Sequence, residues 1–416
     1  MKPDVIVLGA GIVGVSTALH LQERGRAVVL VDRKAPGEGT SFGNAGLIER
    51  ASVIPYAFPR SVTALLRYAL NRSSDVRYDL SFLLQIAPFL FRYWRHSSPR
   101  NLAIATRAML PLVEASVSEH DRLIEAAGAG DLVRSGGWLS GWKTPRRFEA
   151  AVKDAEKFHA FGLRYDALDA VALSALEPAL RTGPGGLAGA LHWRDPKTVS
   201  DPSALTKRYA ALFEQRGGEI IVADAGSLSQ NGRGWAIDTA EGRLEASDAV
   251  LALGPQAGGI FQRLGYRIPL AVKRGYHRHY PLPEGMTLNH PICDEEGGYV
   301  LAPMRRGIRL TTGIEFAAPS APPNTIQIER DEEWARRLLP LGPPVETVPW
   351  LGLRPCLPDM RPVIGAASRH PGLWFNFGHA HHGLTIGPAS GRLLAELMTG
   401  EQPFADPSPY RDDRFA

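Results

Sequence analysis

Three histidines fall within four positions in "FGHAHHGLTIGPASG", Phe377 to Gly391. Imidazoles this dense can ligate a metal, act as a base, or shape a turn for other chemistry. A zinc site needs a further ligand and outer hydrogen-bond support, and the stretch carries no neighbouring carboxylate or cysteine pattern. No metal is therefore expected. The residues after the histidines read as a helix from Gly383 to Thr399, with Leu393, Leu394, Leu397 and Met398 on one face and Gly400 as its stop. Pro388 fits only near a helix start, which places the N-terminus around Gly383 to Thr385.

A second pattern with chemical content opens the chain: "DVIVLGAGIVGVSTALHLQERGRAVVLVDR". Gly9, Gly11 and Gly14 complete G-x-G-x-x-G, with Ile12 and Val13 inside it as further candidate cofactor contacts. The first glycine permits a tight turn, the second lets the backbone approach a pyrophosphate, and the third lets helix and strand pack closely. The helix N-terminus offers free N–H groups to phosphates. Asp32, followed by Arg33, can accept hydrogen bonds from ribose hydroxyls and repels a 2′-phosphate. This fingerprint alone does not separate NAD from FAD. The next loop, "GEGTSFGNAG", offers Thr40, Ser41 and Asn44 as hydrogen-bonding groups, with Ala45 and Gly46 closing it. It suits the length of an extended cofactor, and a plain surface turn is the alternative.

The positioning elements are legible from local pattern. Val5 to Leu8 form an apolar run suited to a strand buried on both faces. Val15 to Arg24 read as helix, Gly25 breaks it, and Ala27 to Val31 form a second strand. Residues 59 to 128 are mostly helical, "GGWLSGW" reads as a strand, and Thr144 to Phe161 as a helix. Residues 201 to 254 return to helix and strands. Residues 260 to 349 suggest antiparallel strands and hairpins, with a short helix from Arg330 to Leu339. "LSFLLQIAPFLFRYWRH", Leu80 to His96, is apolar with basic residues at its end. It reads either as a buried helix, broken near Pro88, or as an interfacial membrane contact.

Bulk properties exclude some classes. The chain has 416 residues, 44% hydrophobic and 22% charged, as in ordinary globular proteins. A net charge of +4 without a basic stripe argues against nucleic-acid binding. Two distant cysteines, Cys293 and Cys356, make no disulfide framework and suit a reducing compartment. No signal core and no apolar stretch of spanning length is seen, so the expected location is the cytoplasm. The inner face of the cytoplasmic membrane is the alternative.

The fingerprint, "GTSFGNAG", "RGYH", "GLRPCLPDMRPVIG" and "GHAHHGLTIGPASG" occur in the order found in FAD-dependent amine oxidoreductases. From Asp4 to about Thr399 the chain resembles the D-amino-acid oxidase and glycine oxidase family, nearest to its bacterial small-subunit type D-amino-acid dehydrogenases. The resemblance implies an α/β fold, α+β overall: a Rossmann-like FAD-binding domain interleaved with a substrate domain of mixed antiparallel sheet and helices. It places residues 1–58, 145–258 and 350–416 in the FAD-binding domain, and 59–144 and 259–349 in the substrate-binding domain. Asp32 would hold the adenosine ribose, and Thr40, Ser41 and Asn44 would lie near pyrophosphate and flavin. Val222 would present its backbone beside the adenine, and Gly254 would make a close approach. Gly383, Leu384 and Thr385 would face the flavin pyrimidine, where the helix dipole favours negative charge.

The same resemblance implies oxidation of D-amino acids by hydride transfer from Cα–H to flavin N5. The imino acid formed then hydrolyses to a 2-keto acid and ammonia. Arg354 matches the arginine that grips the substrate carboxylate, a task suited to a guanidinium fork. Tyr276 and Tyr299 would complete the site, His381 and His382 would shape the pocket, and His379 would brace the turn. FAD is expected to be non-covalent, because the attachment cysteine of related sarcosine oxidases would lie near Gly352, not at Cys356. The electron acceptor would be oxygen or a membrane quinone. The alternatives are oxidation of a secondary or simple amine (D-hydroxyproline, sarcosine, glycine or an opine), a non-catalytic FAD-holding subunit, and a nicotinamide-dependent dehydrogenase.

Overall fold

The computed structural model describes residues 3–415 except Arg72, Ser74 and Arg233. Among the described residues, one sheet orders its strands Glu219–Val222, Val28–Asp32, Val5–Leu8, Asp248–Leu251, Leu373–Phe377 and Val363–Ala366. All neighbours run parallel except the last pair, which is antiparallel. Val5–Leu8 lies in the middle and is wholly buried, which is why its sequence shows no alternation. The chain turns at Gly9 into the Ile12–Glu23 helix, three residues earlier than the sequence suggests.

That helix crosses the Gly383–Thr399 helix at close range. A Cβ on Gly391 would lie 2.9 Å from the Thr17 nitrogen, and one on Gly387 would touch Ile12. Asn376 adds a hydrogen bond to the Thr17 hydroxyl at 3.0 Å. Gly400 ends the second helix in the left-handed region, φ 72°, as its sequence position predicts.

A larger sheet stands over the first. Its strands run Val76–Tyr78, Ile314–Phe316, Ala271–Tyr280, Gly307–Thr311, Tyr299–Met304, Ile292–Asp294, Trp138–Trp142, Gly189–Trp193 and Tyr165–Asp169. Trp350–Cys356 pairs along Ala271–Tyr280, with Lys273 opposite Arg354 and Gly275 opposite Gly352. Two segments read from sequence as cofactor-side, 165–193 and 350–356, thus contribute strands to this sheet. The helix expected over 144–161 is Pro145–Ala155, followed by a tighter 3₁₀ stretch, Glu156–Phe161.

The apolar segment from Leu80 contains the Leu83–His96 helix, with Pro88 inside it. Ile86, Phe89 and Tyr93 are buried, whereas Leu84 is 87% exposed and Phe91 and Trp94 also face outward. The neighbouring Val62–Ala69 helix likewise exposes Val62 and Leu66. Neither sequence reading of this segment covers it alone, because one face packs and the other does not. No helix among the described residues is long and apolar enough to cross a membrane.

Candidate active site

A cavity of about 990 Å³ is lined by both sheets, by the glycine turn and by the start of the Gly383 helix. Gly9 and Gly14 are required by the turn itself. Gly9 has φ +112°, and a Cβ on Gly14 would sit 1.8 Å from the Gly9 carbonyl oxygen. Gly11 differs: its Cβ would meet only the Ser41 hydroxyl, at 3.4 Å, so its missing side chain opens the cavity. Gly11 also caps the Ile12–Glu23 helix, leaving first-turn N–H groups at the cavity wall.

Asp32 ends its strand at the wall. One carboxylate oxygen accepts from the Ala10 N–H at 2.8 Å and the other from the Lys34 N–H at 3.0 Å. A carboxylate has about four acceptor sites, so half its capacity stays open to a ribose. Arg33, Ile12 and Val13 line the cavity beside it. Val222 pairs with Asp32 across the sheet, but its side chain faces solvent and the wall there is Asp224, Ala225 and Gly226. Gly254, with φ +55°, lines the opposite side.

The glycine-rich loop after Gly37 is a wall of the cavity rather than a free turn. Thr40 Oγ1 donates to the Leu353 carbonyl at 3.0 Å, joining the loop to the strand of Arg354. Ser41 Oγ accepts from the Ile12 N–H at 3.0 Å, and Asn44 Oδ1 from the Gly46 N–H at 2.8 Å. Buried Arg309 donates to the Phe42 and Asn44 carbonyls, a brace that no local sequence signal reveals. Thr40, Ser41, Asn44 and Ala45 line the cavity, while Gly46 stands behind it, its Cβ position blocked by the Val199 carbonyl at 2.3 Å.

The helix expected to face a flavin starts at Gly383. Thr385 Oγ1 donates to the Leu47 carbonyl at 3.1 Å and accepts from the Glu49 N–H at 3.2 Å. Pro388 has no N–H to give the Leu384 carbonyl four residues back. His120 Nε2 supplies that bond instead, at 2.7 Å, and burial depresses the His120 pKa to about 4. Gly383, Leu384 and Thr385 all line the cavity. The turn before them is held by His379, whose Nε2 meets Ser390 Oγ at 3.0 Å.

The Ala380 N–H donates to the Pro355 carbonyl at 2.8 Å, which brings His381 and His382 to the strand of Arg354. Arg354 donates to the Gly313 and Thr312 carbonyls at 2.9 and 3.1 Å, and has no carboxylate partner among the described residues. A Cβ on Gly275 would lie 2.7 Å from its Nη2, so the glycine of "RGYH" makes room for the guanidinium. His381 and His382 rings lie 3.8 Å apart and both line the cavity. Burial holds both imidazoles neutral, His382 down to about 4.

The two tyrosines are placed differently. Tyr276 lines the cavity, but its hydroxyl accepts from Arg274 and the Asn324 N–H and donates to Glu315, at 2.7–2.9 Å. That saturates a phenol, which has one donor and two acceptor sites. Tyr299 is buried in the core of the larger sheet and does not line the cavity.

Sequence reasoning missed Glu49, Tyr56 and Glu295, all of which line the cavity. Glu49 is buried, and desolvation, reinforced by Glu295, pushes its pKa up to about 8. One Glu49 oxygen and one nitrogen each from His381 and His382 lie within 4.8 Å of one another. The carboxylate absent around "HAHH" in sequence is thus present in space, although at neutral pH it is held largely protonated. Tyr56 packs its ring 5.1 Å from that of His381.

These parts fit FAD: a glycine turn shaped for pyrophosphate, an open carboxylate for ribose, and a second helix start farther along one continuous cavity. The comparisons agree. The model of the FAD dependent oxidoreductase family (DAO) matches residues 4–397. The D-amino acid dehydrogenase of Chromohalobacter salexigens is 29% identical over 99% of this chain and 100% of its own. That of Cereibacter sphaeroides is 30% identical over 99% of this chain and 95% of its own. Glycine oxidase from Geobacillus kaustophilus superposes with a TM-score of 0.72 at 19% identity, covering 99% of this chain and 98% of that one. L-Amino acid deaminase from Proteus myxofaciens gives 0.74 at 17%, covering 100% and 94%. These two likenesses speak for the fold. With the fingerprint, the cavity and the family match in agreement, the chain belongs to the FAD-dependent oxidoreductases of the DAO family.

Proposed function

We propose that this chain oxidises D-amino acids to imino acids, which water converts to 2-keto acids and ammonia. The observation that carries the reading is Arg354, a guanidinium facing the cavity with no carboxylate partner among the described residues. Two carbonyls fix its plane and leave three of its five N–H groups for a carboxylate. The curated relatives at about 30% identity carry the name D-amino acid dehydrogenase and support that substrate class and stereochemistry.

When bound, FAD supplies the acceptor for the hydride of Cα–H. The residues of this chain do the rest. Gly9, Gly11 and Asp32 would hold its nucleotide half without a covalent bond, with Gly14 shaping the turn, and the Gly383–Thr385 turn would direct N–H groups and dipole toward its reacting half. Arg354 anchors the substrate by its carboxylate and so fixes the distance of Cα from the acceptor. The neutral rings of His381 and His382 shape the pocket without adding positive charge that would compete with Arg354 for the carboxylate.

The test is anaerobic bleaching of the bound flavin by a panel of D- and L-amino acids, glycine, prolines and opines. Bleaching by D-amino acids is expected, and bleaching by L-enantiomers alone would sink the proposal. Truncating one member of a buried charge pair costs about 2–5 kcal/mol. Arg354→Ala is therefore expected to raise the half-saturating substrate concentration at least ~30-fold. FAD affinity stays near the parent value; equal losses in both would remove the assignment.

An electron acceptor is needed to reoxidise the flavin. The exposed apolar faces of the Val62–Ala69 and Leu83–His96 helices suit the interface of a lipid bilayer, with Arg92 and Arg95 exposed beside them. The opposite faces reach the cavity through Leu65, Tyr68, Leu83, Leu90 and Tyr93. A membrane quinone is the acceptor this arrangement favours over oxygen.

A further inference from the structure

The cavity around Arg354 holds more acidic side chains than a neutral amino acid requires. Glu49 and Glu295 both line it, and no ion pair joins either to a basic side chain among the described residues. Desolvation within the cavity raises the pKa of each carboxyl, and Glu295 adds its repulsion to Glu49. Tyr56, its ring 5.1 Å from that of His381, lines the same cavity as Glu49, Glu295 and Arg354, so acid and cation share one compartment.

Unpartnered ring nitrogens stand beside the Glu49 carboxyl. Among the described residues, buried His382 has no partner for its Nδ1, and His381 none for its Nε2. Neutral imidazoles present lone pairs, and together with the Glu49 carboxyl they form a ring of acceptors within 4.8 Å of one another. An apolar residue would fill the place of Glu49 at lower cost, since burying an unpaired carboxyl is unfavourable. A ligand that brings positive charge removes the penalty.

We propose that Glu49 and Glu295 select amino acids whose side chain carries a second, cationic group, held by this carboxyl pair while Arg354 grips the carboxylate. The substrate class is thus the basic D-amino acids, of the arginine, lysine or ornithine type. This rests on the D-amino-acid reading above and narrows it.

The experiment compares anaerobic flavin reduction by D-arginine, D-lysine and D-ornithine with that by D-norleucine and D-methionine, in the holoprotein, as kcat/KM. The parent enzyme is expected to favour the cationic substrates at least tenfold. Glu295→Gln and Glu49→Gln, each checked for bound FAD by its visible spectrum, are expected to collapse that ratio at least tenfold. Neutral side chains equal to or better than cationic ones in the parent enzyme would overturn the inference and leave D-amino-acid oxidation standing. A ratio unmoved by both variants would also overturn it. A flavin that no D-amino acid bleaches, basic or neutral, would remove the underlying reaction and this inference together.

Discussion

Single residues carry opposite electrostatic duties in this protein. Arg354 is a cation left for a ligand to neutralise, whereas Asp331 is an acid that the fold keeps uncharged. Asp331 is fully buried, and neither carboxyl oxygen has a hydrogen-bond partner among the described residues. Burial pushes its pKa up to about 9. An acid whose folded pKa exceeds its unfolded value of about 3.9 binds an extra proton when folded. Its contribution is complete below about pH 4 and is lost as pH rises through about 9. The melting temperature of the holoprotein is therefore expected to fall between pH 6 and 9, and to fall less in Asp331→Asn. Thermal scans at four or five pH values decide it; identical slopes would mean that Asp331 is already ionised. Glu49, with its pKa raised to about 8, acts in the same direction and leaves a residual slope in that variant.

At the scale of elements, the glycine turn separates two jobs that one motif usually conflates. A methyl at Gly14 collides with the Gly9 carbonyl, so Gly14→Ala is expected to lower the melting temperature of the cofactor-free protein by several degrees. A methyl at Gly11 has room against the protein, at 3.4 Å from Ser41 Oγ, but enters the cavity. Gly11→Ala is expected to keep that melting temperature within a degree or two and to weaken FAD at least tenfold. Flavin titration alongside thermal scans checks both, and equal behaviour of the two variants would contradict the division. This turn and the Gly383 helix were readable because spacing, a buried apolar run and a glycine stop are local signals. Glu49 and Glu295 were not, because the fold brings them to the cavity from distant parts of the chain, Glu49 alone reaching "HAHH". The saturation of Tyr276 was equally hidden, since it depends on Glu315 and Asn324 arriving from other elements. The sheet membership of 165–193 is hidden for a similar reason: pairing partners, not local pattern, determine it.

At the scale of the molecule, the outward apolar faces of two helices define a surface that water alone serves poorly. Contiguous exposed apolar area of this kind marks an interaction surface. The protein is expected to sediment with vesicles containing anionic phospholipid, and the pair Leu84→Glu with Phe91→Glu to abolish this while flavin bleaching by substrate in solution persists. Vesicle binding unchanged by that pair would place the contact elsewhere. The cavity below these helices is lined by both sheets and by the inward faces of the helices themselves.

The crossing at Gly391 has a further consequence. Gly391 stands two turns, roughly 12 Å along the axis, from the helix end at Gly383. A Cβ there would lie 2.9 Å from the Thr17 nitrogen, so a side chain at this crossing must push the two helices apart. Under the proposed placement of the helix end at the cofactor, such a shift changes how strongly that end stabilises charge there. Gly391→Ala is therefore expected to shift the reduction potential of the bound flavin although Gly391 does not line the cavity. A spectroelectrochemical titration beside the parent checks it, and an unchanged potential would place the control elsewhere.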